Sequence, residues 1–346
     1  MLRSLASLVV VGLLAAAALA ADDVTVATIL DGLQNPSGVA IRPETSADDY
    51  EIYVADAGAG RIARTRSGQS GNGDDVITGF ASQPNRTDPF QSSGPRGLLF
   101  LDRVRLVVTG SAGKGRAFVR LYELSDEPTP LAAERYEQHV EPTAAGEQPE
   151  LAVEAFYGLA RTSANDSVAD LLIVIAHGKE RSAGTWKVPI RAGMLGELEV
   201  FRPSGPNETT VPSGIAVGRH GYVVMSEPGA NRQSQAARLK FLNPIDGSVA
   251  LELAADVPEI PGLAYSPRTG NLYVIASGNS DRDGVYRIED IGRPGKPACA
   301  AVKVADVHRP TALVFGPDGA LYVTALGEVD ANETNTGVLL KLTGEL

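Results

Sequence analysis

Residues 309–325 read Arg-Pro-Thr-Ala-Leu-Val-Phe-Gly-Pro-Asp-Gly-Ala-Leu-Tyr-Val-Thr-Ala, and five upstream segments follow the same plan. They begin at Asn35-Pro-Ser-Gly-Val-Ala-Ile, Gly94-Pro-Arg-Gly-Leu-Leu-Phe, Phe156-Tyr-Gly-Leu-Ala, Val211-Pro-Ser-Gly-Ile-Ala-Val and Ile260-Pro-Gly-Leu-Ala-Tyr. Each is followed by a second apolar run, from Ile52-Tyr53-Val54 in the first copy to Leu321-Tyr322-Val323 in the last. A period of roughly 50–60 residues built from paired short strands marks a propeller or solenoid array. Six copies predict an all-β, six-bladed β-propeller with four-stranded blades.

The repeat has a physical cause. The innermost strand of each blade lines a crowded central channel, and Gly38, Gly97, Gly158, Gly214 and Gly262 leave no Cβ where neighbouring backbones converge. Proline just before the glycine (Pro36, Pro95, Pro212, Pro261, with Pro310 in the last copy) fixes φ where the loop enters the strand. The second strand lies between neighbouring blades, so it reads as a continuous β-branched and aromatic run. Turn signals such as Pro317-Asp318-Gly319 separate the two.

The ends of the chain complete the plan. Arg3, the apolar run of residues 8–18 and Ala18-Leu19-Ala20 predict a secretory signal peptide over residues 1–20, leaving 21–346 as one propeller domain. Residues 23–30 form an orphan strand, while the last blade ends after its third, around residues 338–342. The N-terminal strand is therefore expected to complete the last blade and close the ring. No later segment is apolar for long enough to span a bilayer, and the product is expected to be secreted or periplasmic and monomeric.

Composition narrows the partners. Asp and Glu number 42 against 31 Lys and Arg, for a net charge of −11, which argues against nucleic acid and anionic membranes. Cys299 is the single cysteine, so no intrachain disulfide can form; its apolar strand context reads as a small packed hydrophobe. Asn85, Asn165, Asn207 and Asn332 lie in N-x-S/T sequons and would accept glycans in a eukaryotic secretory pathway. Trp186, the sole tryptophan, reads as packing between blades rather than as a sugar platform.

The long connections, at residues 81–93, 141–155, 227–235, 278–283 and 326–336, all fall on the face from which the innermost strands begin. Extended loops on one face of a rigid scaffold carry binding, which places the site at that mouth of the channel, with Glu227 opening one of the loops.

The segments Pro36-Ser37-Gly38-Val39-Ala40 and Tyr53-Val54-Ala55-Asp56-Ala57-Gly58-Ala59-Gly60-Arg61-Ile62 resemble an NHL repeat. The chain as a whole resembles the NHL-repeat and gluconolactonase-like six-bladed propellers, a group of lactonases, lyases, sugar dehydrogenases and binding proteins. The resemblance implies a channel-mouth site at Ser37, Arg96, Tyr157, Ser213, Pro261 and Thr311, with Asn35 alongside. The metal-dependent lactonases of the group hold a divalent cation with a Glu, an Asn and an Asp. None of the matching positions here is a carboxylate, and hard cations want charged oxygen ligands. The lyases of the group hold zinc with three histidines. Here His220 falls in a turn on the opposite face and His139 in an outer strand, leaving His177 and His308, too few to close a catalytic zinc site. His177 as a general base, with Arg96 and Tyr157 beside it, is what a quinone-dependent sugar dehydrogenase would imply.

Asn279-Ser-Asp281-Arg-Asp283-Gly284 matches the front of a calcium loop, with Asp290 at the twelfth position. The alternative is a polar hairpin turning at Asp283-Gly284. Glu328, Asp330 and Glu333 make the neighbouring loop acidic as well. No G-x-S-x-G elbow is present, and the glycine-rich residues 110–115 lie between strands rather than before a helix, so they cannot cradle a phosphate. The expected function is an exported module binding a protein or small-molecule ligand through the loop-rich face at Asn35, Ser37, Arg96, Tyr157, His177, Ser213, Glu227 and Thr311. The competing expectation is a lactone hydrolase or sugar dehydrogenase.

Overall fold

The computed structural model describes residues 24–43, 46, 48–83, 93–113, 116–126, 129–142, 153–163, 169–178, 184–203, 212–229, 236–278, 281–327 and 337–346. Residues 1–20, the four sequons, Asn279, Glu328, Asp330 and Glu333 lie outside that set. Among the described residues the strands assemble into six sheets of mainly antiparallel strands, one per sequence repeat.

Their innermost strands are Pro36–Ile41, Gly94–Phe100, Val153–Thr162, Gly214–Val217, Gly262–Tyr265 and Pro310–Phe315. Four of these begin two or more residues before the small residue that marks the repeat, because ladder pairing continues past a bulge near Pro36, Pro95, Phe156 and Pro310. Four of the second strands, among them Glu51–Asp56 and Leu321–Ala325, are buried at every residue, and the other two at all but their ends, which is why they carry no alternation.

The ring is closed as the sequence predicts. Thr25–Leu33 pairs antiparallel with Gly337–Thr343, so the sixth blade draws three strands from the C-terminus and one from the N-terminus. Two blades depart from four strands. In blade one, Leu131–Ala132 crosses over from the blade-two connection and pairs parallel with Asp74–Thr78. In blade three, the third strand Gly184–Arg191 pairs with both Met194–Leu195 and Glu199–Pro203.

The core is distributed rather than central. The described residues form six apolar clusters, each made of side chains from two adjacent blades. Trp186 lies in the cluster between blades two and three, edge-on to Phe156 at 6.4 Å. Cys299, on the outermost strand of blade five, is half-buried with Sγ 3.3 Å from Ala254 O, and burial pushes its thiol pKa up. Among the described residues no helix is long and apolar enough to cross a membrane.

Hydroxyl groups tie the blades where their innermost strands converge. Ser37 Oγ donates to Pro95 O (3.0 Å), Thr109 Oγ1 to Tyr157 O (2.8 Å), Ser213 Oγ to Ile260 O (2.9 Å) and Thr311 Oγ1 to Pro36 O (2.8 Å). Each bond crosses from one blade to the next, so it fixes the ring rather than a single sheet. The glycines act at the same level: a β-carbon on Gly38 would fall on the carbonyl of Arg96, and one on Gly262 would lie 2.7 Å from Leu313.

Candidate active site at the channel mouth

The six innermost strands enclose a cavity of about 200 Å³. Asn35, Ser37, Arg96, Tyr157, His177, Ser213, Pro261 and Thr311 line it, together with Glu259 and Pro228.

The N-terminal side of the rim is set by backbone geometry. Asn35 adopts a left-handed φ of 64° immediately before Pro36, a conformation that asparagine tolerates better than most residues. The turn is held from below. Gln34 N–H donates to Asp56 Oδ1 at 2.7 Å, and Ala57 N–H to Asn35 O at 3.2 Å. Burial pushes the Asp56 carboxyl up to about 6, against the opposing pull of Arg61. Arg309 repeats the device in blade six, with φ 48° ahead of Pro310.

Three aromatic and basic groups from blades two and three meet on the adjoining wall. The Arg96 guanidinium lies over the Tyr157 ring at 4.8 Å, a cation–π contact made with little exposure to solvent. The His177 ring stands edge-on to Tyr157 at 5.8 Å and 84°. Its Nδ1 is 3.8 Å from Glu154 Oε2, in ion-pair range but longer than a hydrogen bond. His177 ends the second strand of blade three, Leu171–Gly178, and is half-exposed toward the cavity.

Ser37, Ser213 and Thr311 line the cavity with hydroxyls whose protons are already given to the next blade. They can accept from a ligand but have no second proton to donate. Glu227 is elsewhere. By ladder register its counterpart in blade three is Ala176, one residue before His177. It therefore turns to the other face of the strand, 2% exposed, and accepts from Lys240 Nζ at 2.7 Å, while Pro228 takes the place of His177 in the cavity wall. Glu259, a buried carboxylate between blades four and five, is a lining residue that no sequence motif announces.

The two aspartates of the calcium-like segment diverge. Asp281 is exposed, whereas Asp283 is buried, with Oδ2 accepting Arg309 N–H at 3.0 Å and lying 3.8 Å from His308 Nδ1. Asp283 thus supports the start of blade six. Among the described residues no three His, Cys, Asp or Glu side chains gather as a metal-holding group. Among the described residues the cavity wall offers Glu259 and Asn35, one charged oxygen donor too few for the lactonase-type cation set. A quinone bearing several carboxylates fits no better, since Arg96 is the one Lys or Arg among the described lining residues and Glu259 offsets it.

No family model matches the sequence, and no curated protein matches it. Solved structures do match. A glucose dehydrogenase superposes with a TM-score of 0.61 at 16% identity, covering 93% of this chain and 100% of its own. The soluble aldose sugar dehydrogenase of Escherichia coli, in its apo form, gives 0.58 at 16% identity over 93% and 100%. A gluconolactonase of Xanthomonas campestris gives 0.53 at 14% identity over 94% and 93%. Identities this low report architecture and leave the chemistry to the site. By fold, this chain is a six-bladed β-propeller built like the gluconolactonase and sugar dehydrogenase propellers.

Proposed function

We propose that the protein is an exported small-molecule-binding propeller whose ligand sits at the channel mouth, its polar head group between Arg96, Tyr157 and His177. The observation that carries this reading is the convergence of those three side chains on one cavity of about 200 Å³. A cavity of that size has room for several waters or one small organic molecule. Arg96 supplies fixed donors, Tyr157 a flat face, and His177 a group that can donate or accept. Ser37, Ser213 and Thr311 add acceptors, and Asn35 closes the rim from blade one.

A hydrolase or dehydrogenase at the same site is the second reading, favoured by one contact. Glu154 beside His177 Nδ1 would raise the basicity of the ring and leave Nε2 to take a proton from a bound hydroxyl or water. The names of the structural neighbours, a gluconolactonase and sugar dehydrogenases, support this reading as well.

Calorimetric titration with a panel of small sugars, lactones and carboxylic acids, alongside elemental analysis, tests both. We expect at least one member to bind, and His177→Ala to weaken it by roughly tenfold or more, the loss of a charge-assisted hydrogen bond of about 1.5–3 kcal/mol, with an unchanged melting temperature. Binding that ignores His177→Ala would move the site elsewhere. Turnover of a panel member that disappears in His177→Ala would establish the enzymatic reading.

A further inference from the structure

We infer that the ligand of the channel is amphipathic, with a hydrogen-bonding head at the rim and an aliphatic or aromatic body resting on an apolar floor. The inference depends on the channel-mouth reading above and adds the chemical class of the ligand to it.

The floor is built by the repeat. Every blade places one aliphatic side chain in the wall of the same cavity, namely Val39, Leu98, Leu159, Ile215, Leu263 and Leu313. Each directly follows the small residue of its repeat: Gly38, Gly97, Gly158, Gly214, Gly262 and, in blade six, Ala312. Equivalent positions in six blades lie at one level of the channel, so these side chains form a ring. That ring sits two residues further along the strand than Ser37, Tyr157 and Ser213, or about 7 Å deeper at ~3.3 Å per strand residue. The polar rim and the apolar ring are therefore two successive layers of one cavity.

Polar partners are scarce at the lower layer. The ring side chains themselves offer no donor or acceptor. The carbonyls of Pro36, Pro95, Tyr157 and Ile260 already accept the inter-blade hydroxyls, and the ladders within each blade engage the backbone beyond them. A sugar hydroxyl pressed onto this ring would be stripped of water without replacement, lowering affinity by roughly five- to a hundredfold per group. A methylene in the same place raises affinity about fourfold (~0.8 kcal/mol). The floor thus selects against the polyhydroxylated molecules named for the propellers that share this fold, and for a ligand with one polar end.

A head-matched series on the full-length protein tests this. γ-Butyrolactone, γ-hexalactone, γ-octalactone and γ-nonalactone differ only in their alkyl chain, and glucono-δ-lactone keeps the lactone while adding hydroxyls. Calorimetric titration should show affinity rising about fourfold per methylene until the chain fills the floor, with glucono-δ-lactone weaker than γ-hexalactone. Leu159→Ser, at the half-exposed member of the ring, should reduce binding of γ-nonalactone at least fivefold more than that of γ-butyrolactone, since the longer chain makes more contact with the floor. A flat series, or glucono-δ-lactone as the tightest member, would overturn the amphipathic assignment while leaving the channel-mouth site standing. If neither class of lactone binds, the amphipathic assignment is overturned, and if no sugar or carboxylic acid of the wider panel binds either, so is the channel-mouth site.

Discussion

A β-carbon built on Gly97 would meet Tyr157 O, the side chain of Leu159 and, at 2.6 Å, Thr109 Oγ1. The first two belong to the next blade, so relief of the clash would have to push neighbouring blades apart at the channel. Thr109 is equally committed, since its Oγ1 accepts Gly97 N–H at 3.1 Å and donates to Tyr157 O. Gly97→Ala should therefore destabilise the fold by about 1–3 kcal/mol, the usual cost of overpacking, read as a lower urea midpoint. Gly68 is the matched control: a β-carbon there meets nothing within 4 Å, and Gly68→Ala should leave the midpoint unchanged or slightly raised.

His139 carries the second prediction at this scale. It lies on the outermost strand of blade two, edge-on to Tyr136 at 5.1 Å and to Phe118 at 6.4 Å. Its Nε2 is 3.1 Å from Glu141 Oε1, yet buried and without the alignment of a hydrogen bond. Burial lowers the imidazole pKa, outweighing the upward pull of Glu141. The folded chain then binds a proton less readily than the unfolded chain. Stability is lost as the pH falls through the ordinary histidine value of about 6.5 and levels off below the folded-state pKa. His139→Gln should flatten that region of the stability–pH curve, so the difference between wild type and variant should change between pH 7 and pH 5. A constant difference would show that His139 keeps its ordinary pKa.

At the scale of elements, the N-terminal strand decides whether the ring closes. Of Thr25–Leu33, Ile29, Leu30 and Leu33 are buried, and they join Val39, Ile52 and Tyr322 in the cluster between blades six and one. Removing the strand would leave Gly337–Thr343 as an open edge and uncover Leu339 and Leu342, which are fully buried in the intact ring. The seam has a polar latch too. Tyr50 Oη donates to Asp318 Oδ1 at 2.6 Å and lies 2.7 Å from Tyr322 Oη, while Lys341 Nζ approaches Asp318 at 3.2 Å. That latch alone cannot replace a strand. A chain lacking residues 25–33 should lose its cooperative thermal transition, followed by circular dichroism. A truncated chain that melts cooperatively at the wild-type temperature would show that the ring closes without it.

At the scale of the molecule, stability comes from six interfaces in series rather than from one core. Each apolar cluster joins two neighbouring blades, hydroxyl ties span several of the seams, and a lone cysteine contributes no cross-link. The two layers of the channel follow from the same arrangement: the residue before the repeat's glycine faces the rim, and the residue after it faces the floor.

Much of this was legible in the sequence. The Pro-Gly punctuation and the unalternating second strands identify six blades, and the leftover strand at residues 23–30 identifies the closure, because these features reflect local constraints repeated along the chain. The fate of individual polar residues was not legible. Ser37, Ser213 and Thr311 present ligand-type hydroxyls, and only the ring shows that their protons go to carbonyls of neighbouring blades. His177 and Glu227 each stand near the end of a second strand, but the ladders set them one position apart, so one lines the cavity and the other is buried against Lys240. Asp283 stands in a calcium-like sequence and caps Arg309 N–H, while Glu259 enters the cavity from a connection with no motif. Sequence by itself determined the repeat, because backbone sterics and burial act on each segment alike. The tertiary structure alone decided the site, because the groups that meet across the channel come from different blades, far apart along the chain.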